Sequence, residues 1–408
     1  MAPTRDHDIC IIGGAGHVGL PLALVFARAG QRVLVYDLNQ AALDAIKRGT
    51  MPFVEYGADA LLAAALRDHR LSFSSDASDI ARAGHVIVAV GTPVDEYLNP
   101  KLRALLDLVK SIRAHLDPEQ TLIIRSTVFP RTCRHVLRTL AEDGCAWHLA
   151  YCPERIAQGH AVQELSELPQ IVSGCSAEAV DRATALFSLI APQIVHLEVE
   201  EAELAKLFTN AWRYIQFAAA NQFYMIAESI GVDFTRVRQA MVDGYGRAAS
   251  LPSAGFAAGP CLLKDTMQLA AFNVSGFSLG QAAMGINEGL PSFLVESLKQ
   301  RYKLDQTRVG ILGMTFKADI DDIRDSLSYK LGKVLRFHGA DVYYSDEFAR
   351  DPTFITKEQL VERSDVIIVG VPHTAYRMLA VPGHVEVVDL WGVLPARIRD
   401  ETHHLSAR

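Results

Sequence analysis

The feature that most restricts this chain is a glycine pattern with a strand before it and a helix after it. Asp8–Ile12 is a short apolar run, Gly14-Ala15-Gly16-His17-Val18-Gly19 follows, and helical spacing then runs over Leu20–Ala29. In that setting each glycine has a task. Gly14 admits a tight turn, Gly16 lets the backbone approach a pyrophosphate, and Gly19 lets the helix pack on the strand. The helix N-terminus faces the phosphates. A second apolar run, Arg32–Tyr36, ends at Asp37, eighteen residues after Gly19. Its carboxylate suits the adenosine ribose hydroxyls and repels a 2′-phosphate, so the pattern predicts NAD and not NADP. The predicted cofactor contacts are Gly14, Gly16, His17, Val18, Gly19 and Asp37. The alternative is a Rossmann-like fold that has lost its ligand.

The rhythm continues beyond the glycines. Short β-rich runs at His85–Val90, Thr121–Ile124 and Gln170–Val172 alternate with amphipathic stretches. Such alternation implies βαβ units and a parallel sheet. Gly91-Thr92-Pro93 and Ser126-Thr127 fall at the carboxyl ends of two of these runs, the edge where open parallel sheets bind ligands. Each is also compatible with an ordinary loop.

From about Glu200 to Lys299 the β signal nearly vanishes. Glu201–Ile230 keeps helical apolar spacing over thirty residues without proline, roughly 45 Å at the helical rise. A helix of that length suits a domain connector and a dimer surface, although two shorter helices with a kink would give the same pattern. From Gln306 to Ala396 the first rhythm returns: "RVGILG" echoes "DICIIG", and "SDVIIVGVP" echoes "GHVIVAVGTP". Met314, Thr315 and Phe316 follow Gly313, so the fold is expected to persist there without dinucleotide binding. The expectation is an α/β chain with two doubly wound Rossmann-like domains joined by a long central helix and a helical middle domain. The predicted divisions are residues 1–199, 200–303 and 304–408.

Composition narrows the class. The chain of 408 residues carries 40 basic and 47 acidic side chains, a net charge of -7. No excess of basic charge points to nucleic acid or to a membrane surface. An anionic substrate must be held by a few placed basic groups. Met1–Asp8 has no apolar core of a signal peptide, and no apolar run approaches the ~20 residues that span a bilayer. The six cysteines lack CxxC spacing, which predicts reduced cytoplasmic thiols and no zinc or other metal site.

One cysteine stands in a chemical context. Gly255-Phe256-Ala257-Ala258-Gly259-Pro260 leads into Cys261, with Lys264 and Asp265 three and four residues later. If Cys261 opens a helix, both side chains lie one turn on. A helix N-terminus and an ammonium favour thiolate, and the carboxylate supplies a base. A cysteine in an apolar loop is otherwise inert.

The segments GGAGHVGLPLA, GTPVDE, RSTVFP, CPERIAQG, ELAKLFTNAW, GPCLLKDTMQL and FKADIDDIRDS occur in one order over nearly the whole chain. In these the chain resembles the UDP-glucose/GDP-mannose dehydrogenase family. The resemblance implies an NAD-dependent nucleotide-sugar 6-dehydrogenase that oxidises a CH₂OH to a carboxylate through a cysteine thioester, and a homodimer through the central helix. It makes Cys261 the nucleophile. Lys206 and Asn210 become the pair that stabilises oxyanionic intermediates. Asp265 helps position or activate water, and Glu154 is the carboxylate assigned to thioester hydrolysis. Thr127 supplies a hydroxyl near the reacting carbon, Thr92 and Thr127 lie at the cofactor, and Lys264 touches cofactor or substrate. Lys317 and Arg324 are basic positions near the nucleotide. Against these stand plainer readings: a solvated helix face for Lys206 and Asn210, an ion pair between Glu154 and Arg155, and pairing of Arg324 with Asp321 or Asp322.

The match thins where the sugar would be chosen. CPER replaces the family's NPEF and is closer to members acting on N-acetylated hexosamines, whereas Lys264 is kept as in UDP-glucose enzymes. Many members have an arginine after the aspartate corresponding to Asp389, and here Leu390, Trp391 and Gly392 follow it. Trp391 then packs either on the ligand or in the core. Arg247 is a candidate for reaching a neighbouring subunit's substrate. Two rivals remain: a two-electron β-hydroxyacid dehydrogenase, which needs neither Cys261 nor a second α/β domain, and a non-catalytic NAD-binding protein.

Overall fold

A computed structural model describes residues 5–92, 94–95, 102–273 and 276–395. Pro93 and Glu96 of GTPVDE lie outside the described residues, as do the ends of the first and third predicted divisions. The chain divides into two compact units. One holds the residues up to Asn210 and those of 264–277; the other holds 211–263 and 278 onward.

The first unit is built on eight strands: β1 (His7–Ile12), β2 (Val33–Tyr36), β3 (Leu71–Ser74), β4 (Ala83–Val88), β5 (Thr121–Ile124), β6 (His148–Tyr151), β7 (Gln170–Gly174) and β8 (Ile194–His196). Their order is β3-β2-β1-β4-β5-β6-β7-β8. Every described pairing is parallel except β6 with β7. Parallel sheets are covered on both faces, and the strand sequences show how. Successive side chains point to opposite faces. Ile9 and Ile11 of β1, Val33 and Val35 of β2, and Ile123 of β5 enter one apolar core. Cys10 and Ile12, Leu34 and Tyr36, Leu122 and Ile124 enter the other. The helix Gly19–Arg28 fills the first core. Leu105, Val109 and Ile112, and Cys133, Val136 and Leu140, bring two helices onto the second at helical spacing.

The second unit repeats the plan with β9 (Arg308–Leu312), β10 (Asp341–Ser345), β11 (Val366–Val369) and β12 (Glu386–Val388), all parallel in the order β10-β9-β11-β12. Val309, Ile311, Val366 and Ile368 pack against the helices Ser278–Lys299 and Leu327–Phe337. Leu312, Ile367 and Val369 pack against the helix Lys357–Arg363 on the other face.

The long helical stretch is one uninterrupted helix, Val199–Ser229, of 31 residues. It begins in the first unit and continues into the second. The helix Leu262–Phe272 also runs from one unit into the other. The middle segment is thus shared between two cores. Among the described residues no helix is long and apolar enough to cross a membrane, and no three metal-ligating side chains cluster.

His85, on β4, titrates abnormally for a reason the packing supplies. Its Nδ1 is buried without a partner among the described residues. Desolvation, with lesser help from the positive charges of Arg182 and Arg5, pushes the imidazole from 6.5 down to about 4. The unfolded chain takes up this proton near pH 6.5, while the native ring stays neutral down to about pH 4. Stability contributed by the neutral ring is therefore complete above pH 6.5 and is lost as pH falls through that window, on the order of 3 kcal/mol in full. His85→Gln is expected to lose less thermal stability between pH 7.5 and pH 4.5 than the native chain. Identical falls in melting temperature by circular dichroism would refute the assignment.

Candidate active site

The glycine loop fits a dinucleotide, but its glycines divide the work differently from the expectation. The left-handed turn falls on Gly13 (φ 78°), not on Gly14. Gly14 is a packing glycine: a Cβ there would stand 2.7 Å from the Ile11 carbonyl oxygen and 2.9 Å from Val35. A Cβ on Gly19 would stand 2.3 Å from the Gly13 oxygen, so the helix lies hard against the turn. Around the Cβ position of Gly16 the nearest atom is the Gly13 oxygen at 3.4 Å. That is the one position in the motif with room for a pyrophosphate to approach. Among the described residues no side chain caps the helix at Val18, which leaves the dipole of its N-terminus for an anion.

Asp37 closes the cradle. Its Oδ2 accepts the Ala15 N–H at 3.0 Å and its Oδ1 accepts that of Asn39 at 2.9 Å. A carboxylate has about four acceptor positions, so capacity remains for ribose hydroxyls. The His17 ring lies against Phe53, with centroids 4.0 Å apart, and its Nδ1 is 3.1 Å from Gln158 Nε2.

At the carboxyl edge of the same sheet, several of the named residues form two polar sets. Lys206 and Asn210 sit one turn apart on the long helix and are 3% and 6% exposed. A solvated face is thereby excluded. Lys206 Nζ donates to Glu154 Oε1 at 2.9 Å. Asn210 Nδ2 donates to Asp265 Oδ2 at 2.6 Å. Lys264 Nζ lies 2.9 Å from Asp265 Oδ1 and donates to Thr92 Oγ1 at 3.2 Å. Thr92 Oγ1 in turn donates to the Thr127 carbonyl at 2.7 Å. Glu154 pairs with Lys206, and Arg155 bonds to the Pro169 carbonyl, so the Glu154–Arg155 pair does not form.

Burial raises the Glu154 carboxyl, but the charge and hydrogen bond of Lys206, with the charge of Arg125, outweigh it and hold the group below the ordinary carboxylate range. Arg125 is itself fully buried, bonded to the Cys152 carbonyl and to Gln170 Oε1 at 3.1 and 3.0 Å. Sequence reasoning passed over it, although a cation directly after the all-apolar strand β5 is the signal that finds it. Glu203, between the two named helix residues and the helix start, was also missed. It accepts the N–H groups of Arg131 and Cys133 at 2.5 and 2.9 Å and ties the long helix to the start of the helix Thr132–Leu140.

In the second unit, Cys261 is exposed and directly precedes the helix Leu262–Phe272. All six cysteines are thiols. Arg324 is a cation within electrostatic reach of Cys261. Hydrogen bonds that it donates to Asp322 chiefly raise the guanidinium above its ordinary value, and Cys261 adds to the effect. The Lys264 ammonium, expected near the thiol, meets Asp265 and Thr92. Of the two pairings open to Arg324, the Asp322 one forms, with contacts of 2.6–3.0 Å. Lys317 lies on the same loop and its carbonyl accepts Thr315 Oγ1 at 2.9 Å. His373 braces this loop, accepting the Asp319 N–H on Nδ1 at 2.9 Å and facing Asp346 through Nε2 at 3.1 Å. Trp391 is partly buried against the core of its unit, edge-on to Phe217, and donates Nε1–H to the Gly370 carbonyl at 3.1 Å. Arg247 is exposed in the loop after the helix Phe234–Val242.

Comparison with known proteins finds family models across most of the chain. Residues 7–190 match the UDP-glucose/GDP-mannose dehydrogenase family NAD binding domain, 200–288 its central domain and 310–396 its UDP binding domain. A UDP-N-acetyl-D-mannosamine dehydrogenase of Methanocaldococcus jannaschii is 28% identical over 90% of this chain and 86% of its own length. A GDP-mannose 6-dehydrogenase of Pseudomonas putida is 27% identical, covering 94% of this chain and 96% of that protein. The solved UDP-glucose dehydrogenase of Pyrobaculum islandicum superposes with a TM-score of 0.87 at 27% identity, covering 94% of each chain.

The buried Lys206–Glu154 pair makes a thermodynamic prediction. Removing one partner strands the other charge away from water, at a cost of about 3–5 kcal/mol. Lys206→Met and Glu154→Gln are each expected to lose that much in urea titrations. The double variant should lose at least about 1 kcal/mol less than the sum. Additive losses would show that the two side chains do not interact.

Proposed function

The chain belongs to the UDP-glucose/GDP-mannose dehydrogenase family, and from that premise we propose that it carries a nucleotide sugar from C6 alcohol to uronate on Cys261. The enzyme is an NAD-dependent oxidoreductase of nucleotide sugars. We assign NAD to residues 1–199, the thiol and the subunit contact to 200–303, and the nucleotide of the substrate to 304–408. NAD, when bound, takes up a hydride from the sugar carbon at each of two stages, so two are reduced per sugar.

The side chains divide the remaining work. Gly14, Gly16, His17, Val18, Gly19 and Asp37 hold the dinucleotide, with Thr92, Thr127 and Lys264 at its reactive end. After the first oxidation the Cys261 sulfur adds to the aldehyde carbon, and the oxygen takes a proton to give a thiohemiacetal. The second oxidation leaves a thioester. Water adds to its carbon, the C–S bond breaks and the thiol is regenerated. Lys206 and Asn210 are donors aimed at the oxygen that gains charge. Arg324 favours the thiolate of Cys261. Asp265 or Glu154 orients the hydrolytic water, and Glu154 becomes an effective base once the Lys206 ammonium turns to the substrate. Lys317, Arg324 and Arg247 supply charge to the diphosphate.

The single observation that carries this reading is the buried set of Glu154, Lys206, Asn210 and Asp265, already paired as the reaction requires. A UDP-linked N-acetylhexosamine is the favoured substrate, because CPER and the UDP-N-acetyl-D-mannosamine dehydrogenases among the similar proteins both point there. UDP-glucose is the alternative. A homodimer is supported by the apolar face that the long helix leaves exposed, including Trp212, Phe223 and Ile226. Six thiols without a disulfide fit a cytoplasmic setting.

With a panel of UDP- and GDP-sugars, the native enzyme is expected to yield two NADH per sugar consumed. Cys261→Ser is expected to stop short of the carboxylate. One NADH per sugar in the native enzyme, or normal uronate from the variant, would overturn the covalent route. Ile226→Arg is expected to halve the mass measured by light scattering; an unchanged mass would remove this face from the subunit contact.

A further inference from the structure

The loop that ends at Cys261 is gripped six residues upstream, at Gly255, by a side chain with no assigned role. Asn221 lies on the long helix and is fully buried. Its Oδ1 accepts the Gly255 N–H at 2.8 Å, and its Nδ2 donates to the Gly255 carbonyl at 3.0 Å. One amide thus reads both backbone groups of one residue, as a neighbouring strand would. The contact fixes which way the amide faces, since the flipped form would set donor against donor and acceptor against acceptor.

The second Nδ2 hydrogen goes to Asn287 Oδ1 at 2.9 Å, and Asn287 Nδ2 donates to the Tyr214 carbonyl at 3.0 Å. Asn287 is also fully buried. Both hydrogens of the Asn221 amide are used, and its rotamer is locked by a second amide. On the opposite side of Gly255 lies the Trp391 ring, so close that a Cβ would fall 2.3 Å from it. Further along, Gly259 takes a left-handed backbone (φ 97°) under the Phe316 ring. Between them Phe256 and Ala257 are buried. The chain from 255 to 261 therefore has its start, middle and turn all fixed, and the position of the sulfur follows from the anchor.

We propose that Asn221, locked by Asn287, is the positioning residue for the Cys261 thiol. This rests on the reading of Cys261 as the nucleophile. The amide touches neither substrate nor cofactor; it sets the register of the loop. A misplacement near 1 Å costs about a hundredfold in rate for a positioned group, and it acts on capture of the aldehyde by sulfur, not on the first oxidation.

The experiment compares Asn221→Ala, Asn287→Ala and Cys261→Ser with the native enzyme. It measures kcat, both KM values, NADH formed per sugar, free aldehyde trapped by hydroxylamine, and the rate of Cys261 alkylation by iodoacetamide read by mass spectrometry. Asn221→Ala is expected to lose roughly a hundredfold in kcat for uronate, with KM for NAD and sugar within about twofold. NADH per sugar should fall from two toward one as trapped aldehyde rises, and the alkylation rate should change. Asn287→Ala should move every readout the same way by less, and it carries the test if Asn221→Ala does not fold. Two NADH per sugar and native alkylation rates in the folded variants would overturn the proposal. If Cys261→Ser itself still yields two NADH and uronate, the underlying reading of the thiol fails instead.

Discussion

An ammonium leaves water only when a partner replaces the solvation it gives up. Lys206 is nearly buried, and the Glu154 carboxylate makes that burial possible. Lys264 and Asp265 repeat the arrangement beside it, with Asn210 taking the other carboxylate oxygen. Each ammonium thus has its own carboxylate, and Arg125 adds a further positive charge beside Glu154. Its members are then held in place by one another. The same pairing fastens the long helix to the carboxyl edge of the eight-stranded sheet. That helix continues to Asn221, which holds the backbone of Gly255 within the second unit.

This arrangement constrains Glu154. A carboxylate held below its ordinary range by Lys206 and Arg125 is a weak proton acceptor while those charges face it. Its first task is therefore to orient Lys206. In the proposed reaction, activation of water follows when the ammonium is drawn toward a developing oxyanion, which frees the carboxylate at the stage when a base is useful.

What the sequence disclosed and what it withheld follow from range. Alternation along β1, β2 and β5 is local, and it named the strands within a few residues. The glycine motif was legible as a motif, yet the left-handed turn fell on Gly13, because a tight approach of Gly14 to Val35 depends on a strand twenty residues away. Lys206 and Asn210 were visible as neighbours on a helix, but the inward direction of that face depends on Glu154 and Asp265, which are distant in sequence. Arg324 had two nearby acids, and only the folded loop chose Asp322. The grip on Gly255 was not legible at all. It joins Asn221, Asn287 and Trp391 through backbone atoms, and an asparagine in a helix carries no mark of what its amide will meet.

The two sheets use one device with opposite results, and the difference explains why only the first suits a dinucleotide. In each, an aspartate at the end of the second strand of its unit reaches back to N–H groups of the loop after the first. Asp37 takes the N–H of Ala15 and of Asn39. Asp346 takes those of Met314 and Thr315 at 2.6 and 3.0 Å, those of Phe348 and Ala349 at 2.8 Å each, and faces His373 Nε2 at 3.1 Å. Five donors exceed the roughly four acceptor positions of a carboxylate, so Asp346 has none left for a ribose. Met314, Thr315 and Phe316 also stand where the first loop has Gly14, Ala15 and the open Gly16. The second loop has exchanged a ligand for an internal brace. The His373 contact that saturates Asp346 also steadies Asp319, and with it the loop that carries Lys317 and Arg324. One set of hydrogen bonds thus saturates Asp346 and braces the loop of Lys317 and Arg324.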